Sequence, residues 1–125
     1  MKAIDTCIII ELSKKPELVE PFCKWAESQK DGFVVCTQVV RECKREKTIA
    51  MLDHLKARIA VAEVPDLDGW VEFGSSMTLG DGELSTIYYC RQKKATVVTF
   101  DKKAIRTCQI LKIEVVDFEE KFVRK

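Results

Sequence analysis

Short apolar runs alternate with stretches of helical period along this chain, and that order restricts what it can fold into. Lys2–Asp5, Phe33–Cys36, Ile59–Val64, Ala95–Phe100 and Ile113–Val116 read as strands. Phe33-Val34-Val35-Cys36 is apolar at every position, as in a strand covered on both faces. Between the strands, Leu18, Val19, Phe22, Cys23 and Ala26 recur at helical spacing up to about Gln29, with Pro16 opening that helix after Ser13. Asp31-Gly32 marks a turn. Thr37 suits the N-cap of a helix bearing Val39, Val40 and Cys43, and a further helix spans 48–58. Asp66 or Asp68 can cap a short helix through Trp70, Val71 and Phe73. The glycine-dense Leu79-Gly80-Asp81-Gly82-Glu83 opens a helix with Leu84, Ile87, Tyr88 and Cys90 inward. Asp101 opens another with Ala104, Ile105, Cys108 and Leu111, and a short basic helix closes the chain. Strands alternating with helices predict an α/β fold: three α/β/α layers around a central, mostly parallel sheet of about five strands.

The chain has 125 residues, which predicts one domain over 1–125. It is 46% hydrophobic and 33% charged, enough apolar material for one core. No apolar stretch has membrane-spanning length, and the N-terminus lacks a signal-peptide layout, so the expectation is a cytoplasmic protein with no membrane contact. A net charge of +1 means that any nucleic-acid binding must come from local patches rather than bulk charge. Cys7, Cys23, Cys36, Cys43, Cys90 and Cys108 stand singly, the wrong spacing for a zinc module. They read as small free hydrophobes. The chain has no asparagine and many Lys, Glu and Arg, a signal associated with thermophiles, in whose cells disulfides can persist.

The acids carry the chemistry. Asp5 interrupts the apolar run from Ala3 to Ile10, where a carboxylate is costly to bury without a cationic partner. Asp101 ends the run Ala95–Phe100. If the first and fourth strands are adjacent, both carboxylates face the crevice at the switch point of a doubly wound sheet. Glu42, a turn and a half into the helix after the second strand, can lean over the same edge. Asp81 and Glu83 sit at a helix start leading into the fourth strand. Each has an ordinary alternative: Asp81 and Glu83 as acids at a helix N-terminus, Asp101 as an N-cap, Glu42 as one charge on a solvated face. Their coincidence at one edge points instead to a hard divalent cation. Crowded carboxylates raise one another's pKa, oxygen-only donors favour Mg²⁺ or Mn²⁺, and the bound ion can activate water against phosphorus. Such a site needs no serine, cysteine or histidine nucleophile; the sole histidine, His54, lies mid-helix and reads as a surface residue.

The motifs resemble those of the PIN domain, the small nuclease fold of prokaryotic toxin ribonucleases and several RNA-processing enzymes. Ile4-Asp5-Thr6, Thr37-Gln38-Val39-Val40-Arg41-Glu42, Leu79-Gly80-Asp81-Gly82-Glu83-Leu84 and Val97-Val98-Thr99-Phe100-Asp101 match its four acidic motifs in order, over nearly the whole chain. The resemblance implies that Asp5, Glu42, Glu83 and Asp101 hold Mg²⁺ or Mn²⁺ and cut RNA. Asp81 is an additional ligand or a cap. The resemblance also implies a homodimer and, for a toxin, an antitoxin partner. Two positions depart from the pattern: Cys7 where members often carry Asn, and Phe100 where the richest members carry a further acid.

Arg41, Lys44, Arg45 and Lys47 beside Glu42, and Lys102, Lys103 and Arg106 after Asp101, could hold a phosphate backbone; ordinary solvated faces explain them equally. Lys102 and Arg106 share a helix face. No aromatic stripe for base stacking is visible, since Trp25, Trp70, Tyr88 and Tyr89 occupy core-like positions. Two other classes compete with the nuclease: a PIN fold that binds RNA or protein without cutting, and a different α/β phosphotransfer fold. A haloacid-type phosphatase of that last class needs an acid where Cys7 stands, and a receiver needs a phosphoacceptor that Asp66 fits poorly.

Overall fold

The computed structural model describes residues 1–123. Its centre is a five-stranded sheet in the order β3-β2-β1-β4-β5, with every neighbouring pair parallel. The strands are β1 (Lys2–Ile4), β2 (Phe33–Cys36), β3 (Val61–Val64), β4 (Thr96–Thr99) and β5 (Val115–Asp117). Helices α1 (Thr6–Lys14), α2 (Val19–Ser28), α3 (Thr37–Glu42), α4 (Glu46–Arg58), α5 (Trp70–Phe73), α6 (Asp81–Lys93) and α7 (Lys102–Ile110) connect them. All four residues of β2 are buried, as their unbroken apolar run requires. The core joins strand residues Ala3, Ile4, Val35, Val97 and Val98 to Ile8, Leu12, Phe22, Leu55, Ile87 and Phe118 from the flanking elements.

The α/β/α layering and the parallel sheet agree with the sequence pattern; several element details do not. The run after Asp5 is a helix, α1, with Ile8, Ile9 and Leu12 buried. Three consecutive isoleucines disguise it, because β-branched residues favour strands and crowd a helix. Pro16 opens a 3₁₀ turn (Pro16–Leu18), and α2 begins only at Val19. Cys36, not Thr37, is the N-cap of α3; the Thr37 hydroxyl donates to the Val64 carbonyl at 2.7 Å and ties α3 to β3. Gly69, not an aspartate, precedes α5. Asp66 instead accepts from the Gln38 N–H at 3.3 Å and pairs with Arg41. All six cysteines are free, and burial pushes the thiols of Cys36 and Cys43 up to about 11, which keeps them protonated and unreactive. Glu119–Val123 forms a π-helical turn; Arg124 and Lys125, the end of the expected closing basic helix, lie outside the described residues. Among the described residues, no helix is long and apolar enough to cross a membrane.

The register of β1 against β4 pairs Ile4 with Val98, so both strands end at the same level. The Asp5 N–H donates to the Val98 carbonyl at 3.1 Å and carries the pairing one residue further. The strand order reverses between these two strands. The crevice at their carboxyl ends is the place where α/β sheets gather ligands.

Candidate active site

Asp5 is the deepest acid, 1% exposed. Its Oδ1 accepts from the Thr6 N–H at 2.8 Å, the N-terminal cap of α1. Its Oδ2 accepts from the Thr99 hydroxyl at 3.0 Å and from the Cys7 thiol at 3.6 Å. Burial pushes the carboxyl up to about 6; the three donors pull it back and Glu42 nearby pushes it further. Thr99, itself fully buried, also accepts from the Asp101 N–H at 3.2 Å. One hydroxyl therefore joins the first and fourth acidic motifs.

Glu42 is the last residue of the short helix α3, which lifts it off the end of β2. Its Oε1 accepts from the Thr6 hydroxyl at 2.8 Å, and its Oε2 from the Gly82 N–H at 3.0 Å. This grip depends on residue 82 lacking a side chain. A Cβ there would collide with the Glu42 carboxylate and stand 2.7 Å from the Thr6 hydroxyl. Gly82 thus serves a close approach rather than a turn.

Glu83 lies in the first turn of α6, half-buried. Its carboxyl is pushed up to about 8, first by burial, then by the charges of Asp5 and Asp101, a hydrogen bond shared with the Asp101 carboxyl, and Glu42. Asp101 caps α7, its Oδ1 accepting from the Lys103 and Ala104 N–H groups at 2.8 and 3.3 Å. Both acids line an open cleft of about 470 Å³ together with Phe100, Lys102 and Lys103. Asp5, Glu42, Glu83 and Asp101, carried on four separate segments, therefore influence one another across one crevice.

The other candidates are placed differently. Asp81 is exposed at the first position of α6, and its side chain makes no hydrogen bond or ion pair within the described residues. The exposed Arg41 is engaged with Asp66 at 2.9 Å, and Lys102 stands 3.8 Å from Asp117. Arg45 shares a cleft with Glu42, and Arg106 shares one with Lys102 and Lys103. His54 is exposed on α4. Sequence reasoning quoted Thr6, Gly82 and Thr99 within the acidic motifs and noted Cys7 as a departure, but assigned none of them the task of holding the acids. A further signal was Gly82, a glycine in the first turn of a helix where no turn requires it.

No protein-family model matches the sequence, and no curated protein matches it. Solved structures match its fold. VapBC2 from Rickettsia felis, bound to a DNA fragment from its promoter, aligns with a TM-score of 0.66 at 15% identity, over 92% of this chain and 96% of that one. The fold is PIN-like. A domain of a functionally unknown protein from Methanocaldococcus jannaschii aligns with a TM-score of 0.64 at 17% identity, over 92% of this chain and 88% of that one. PAE2754 from Pyrobaculum aerophilum gives 0.60 at 18% identity, over 98% and 94%. At such identities the likeness is one of fold.

Proposed function

We propose that this chain is a metal-dependent endoribonuclease whose acid set is Asp5, Glu42, Glu83 and Asp101. One observation supports the reading: Asp5, Glu42, Glu83 and Asp101 come from distant segments, and two of them are pushed up by burial and by the charge of the others. Crowded oxygen donors that form no ion pair with a lysine or arginine among the described residues fit Mg²⁺ or Mn²⁺. When bound, the cation would supply an activated water and charge neutralisation at phosphorus. The chain's own residues have defined tasks. Thr6, Cys7 and Thr99 fix the Asp5 carboxylate, and Thr6 and Gly82 fix Glu42. Lys102 and Lys103 line the cleft beside Asp101, where they would draw in a phosphate. Asp81, exposed at the first position of α6 and making no capping hydrogen bond among the described residues, would be a further ligand.

Labelled RNA incubated with Mg²⁺ or Mn²⁺ should be cut, and chelator should stop it. Asp5→Asn should lower the rate by roughly 10²–10³, the usual scale for removing one preorganised electrostatic group. Cleavage that survives chelator, or that Asp5→Asn leaves intact, would sink the assignment.

A second reading has its own support. Among the described residues, no three acidic, histidine or cysteine side chains close around a common point, and Glu42 uses both oxygens on Thr6 and Gly82. A PIN fold that binds RNA or protein without cutting is consistent with this. It predicts RNA binding with no products. The likeness to VapBC2 supports proposing an antitoxin partner for this chain, and the motif resemblance to PIN domains is the ground for proposing a homodimer. Co-purification with the product of an adjacent reading frame, and the mass of the purified species, check these two proposals.

A further inference from the structure

Helix α7 divides its residues between two faces. Ala104, Ile105 and Cys108 are buried. Lys103, Arg106 and Ile110, at i, i+3 and i+7, form an outward row, and Ile110 at its end is 72% exposed. This row lines a groove of about 450 Å³ together with Met77 and Leu79, two half-buried side chains from the segment that leads into α6. A single exposed isoleucine is ordinary on a protein surface. Here it joins two further apolar side chains in one concave place. The groove also adjoins the acid cleft: Lys102 and Lys103 line it and line the cleft that holds Glu83 and Asp101 as well.

The charge of the groove is one-sided. Lys102, Lys103 and Arg106 line it, and no carboxylate does among the described residues. The cleft beside Glu42 differs: there Lys14, Arg45 and Lys47 are interleaved with Glu42 and Glu46. The side chains of Lys103 and Arg106 make no ion pair among the described residues, and Lys102 stands 3.8 Å from Asp117. The whole chain carries only +1, so this sign is local and set by placement. Cations without counter-charges, beside apolar side chains, complement a ligand that is both acidic and aliphatic. An amphipathic polypeptide segment is both, and such segments seat apolar anchors in grooves at helical spacing. A nucleic-acid strand supplies the acid but brings bases that bind by stacking, and no aromatic side chain lines the groove among the described residues.

We propose that the groove between α7 and Met77–Leu79 docks an acidic, aliphatic segment of a partner protein, its carboxylates on Lys102, Lys103 and Arg106 and its apolar side chains on Met77, Leu79 and Ile110. Seated there, the segment covers two cations of the acid cleft and so keeps RNA out of it. That inhibition rests on the nuclease reading; the docking does not. The probe is a synthetic helical peptide with leucines along one face and glutamates beside them. Two controls carry lysine in place of glutamate, and serine in place of leucine. Titrated into the protein in chelator and followed by amide NMR, the acidic peptide should shift Met77, Leu79, Arg106 and Ile110, and neither control should. Arg106→Glu and Ile110→Ser, both at exposed positions, should each weaken it by about tenfold while the melting temperature stays close to that of the parent. Added salt should weaken it too. Shifts that fall elsewhere, indifference to both substitutions, or equal binding of the lysine peptide would overturn the proposal. A single-stranded RNA oligonucleotide, added to Asp5→Asn protein in chelator, tests the other occupant. If RNA shifts the groove resonances and the acidic peptide does not, the groove is a nucleic-acid track and the proposal falls. If the acidic peptide binds in the groove but the parent protein never cuts RNA, the docking surface stands and the nuclease reading goes. RNA cut at an unchanged rate with the groove saturated by peptide keeps the nuclease and removes the inhibition.

Discussion

Asp5 and Glu83 face the same crevice and are treated in opposite ways. Asp5 is nearly sealed from solvent, yet its carboxyl rises only to about 6, because two hydrogen bonds and a thiol support its charged form. Glu83 is half-exposed, yet rises to about 8, first through its burial and then because its neighbours are other carboxyls rather than donors. Burial alone would order the two the other way round. Partners decide the difference: a buried carboxylate with donors rises less than a more exposed one among like charges.

The comparison breaks most visibly at Thr99. Thr99→Val keeps the shape and removes the hydroxyl, so Asp5 and the Asp101 N–H each lose a partner. A loss of about 1–3 kcal/mol in urea unfolding is expected, with the Asp5 carboxyl moving further up in a carbon-detected NMR titration. An unchanged Asp5 titration would show that the hydroxyl is not what restrains it.

Glu83→Gln sharpens the contrast through pH. The Glu83 carboxyl is raised from 4.5 to about 8, so the folded protein binds a proton that the unfolded chain has released between those values. Stability without metal is therefore fully present below about pH 4.5 and falls as pH rises toward 8. Asp5, raised from 3.8 to about 6, adds to the lower part of that window. Glu83→Gln should remove the Glu83 share over the whole window from 4.5 to about 8 and leave the Asp5 share between 3.8 and about 6, so the curve flattens above pH 6. Because the group is half-exposed, the gain at pH 8 should be on the order of 1 kcal/mol after solvent screening. Urea midpoints at pH 5, 6.5 and 8 in chelator measure this, and an unaltered slope above pH 6 would contradict the assignment to Glu83.

Cys7→Ser should have the smallest effect. The thiol is the most distant donor to Asp5, and serine keeps a donor at that position. A change within about 1 kcal/mol is expected. A larger loss than that of Thr99→Val would reverse the ranking of the two supports.

The sheet was legible in the sequence because each strand is an apolar run closed by a turn or a charge, and the acids that end β1 and β4 could be placed on one edge. Helix α1 was not legible, since Ile8-Ile9-Ile10 carries a strand-like signal that burial on one helical face overrides. Of the site, the acids were readable as anomalies in apolar surroundings. Their supports were not, because threonine, cysteine and glycine are unremarkable in strands, helices and turns, and only contacts across the fold make Thr6, Thr99 and Gly82 matter. The pairing of Arg41 with Asp66 was hidden for the same reason: it joins segments 25 positions apart.

The hydroxyl bond between Asp5 and Thr99 spans 94 positions. A nascent or clipped chain that stops short of β4 can hold three of the four acids but lacks the strand that seats the first of them. The assembled centre therefore comes into being only once β4 has left the ribosome and paired with β1. Proteolysis anywhere that frees β4 would dismantle it in one stroke, so whatever this centre does is tied to the integrity of the whole molecule.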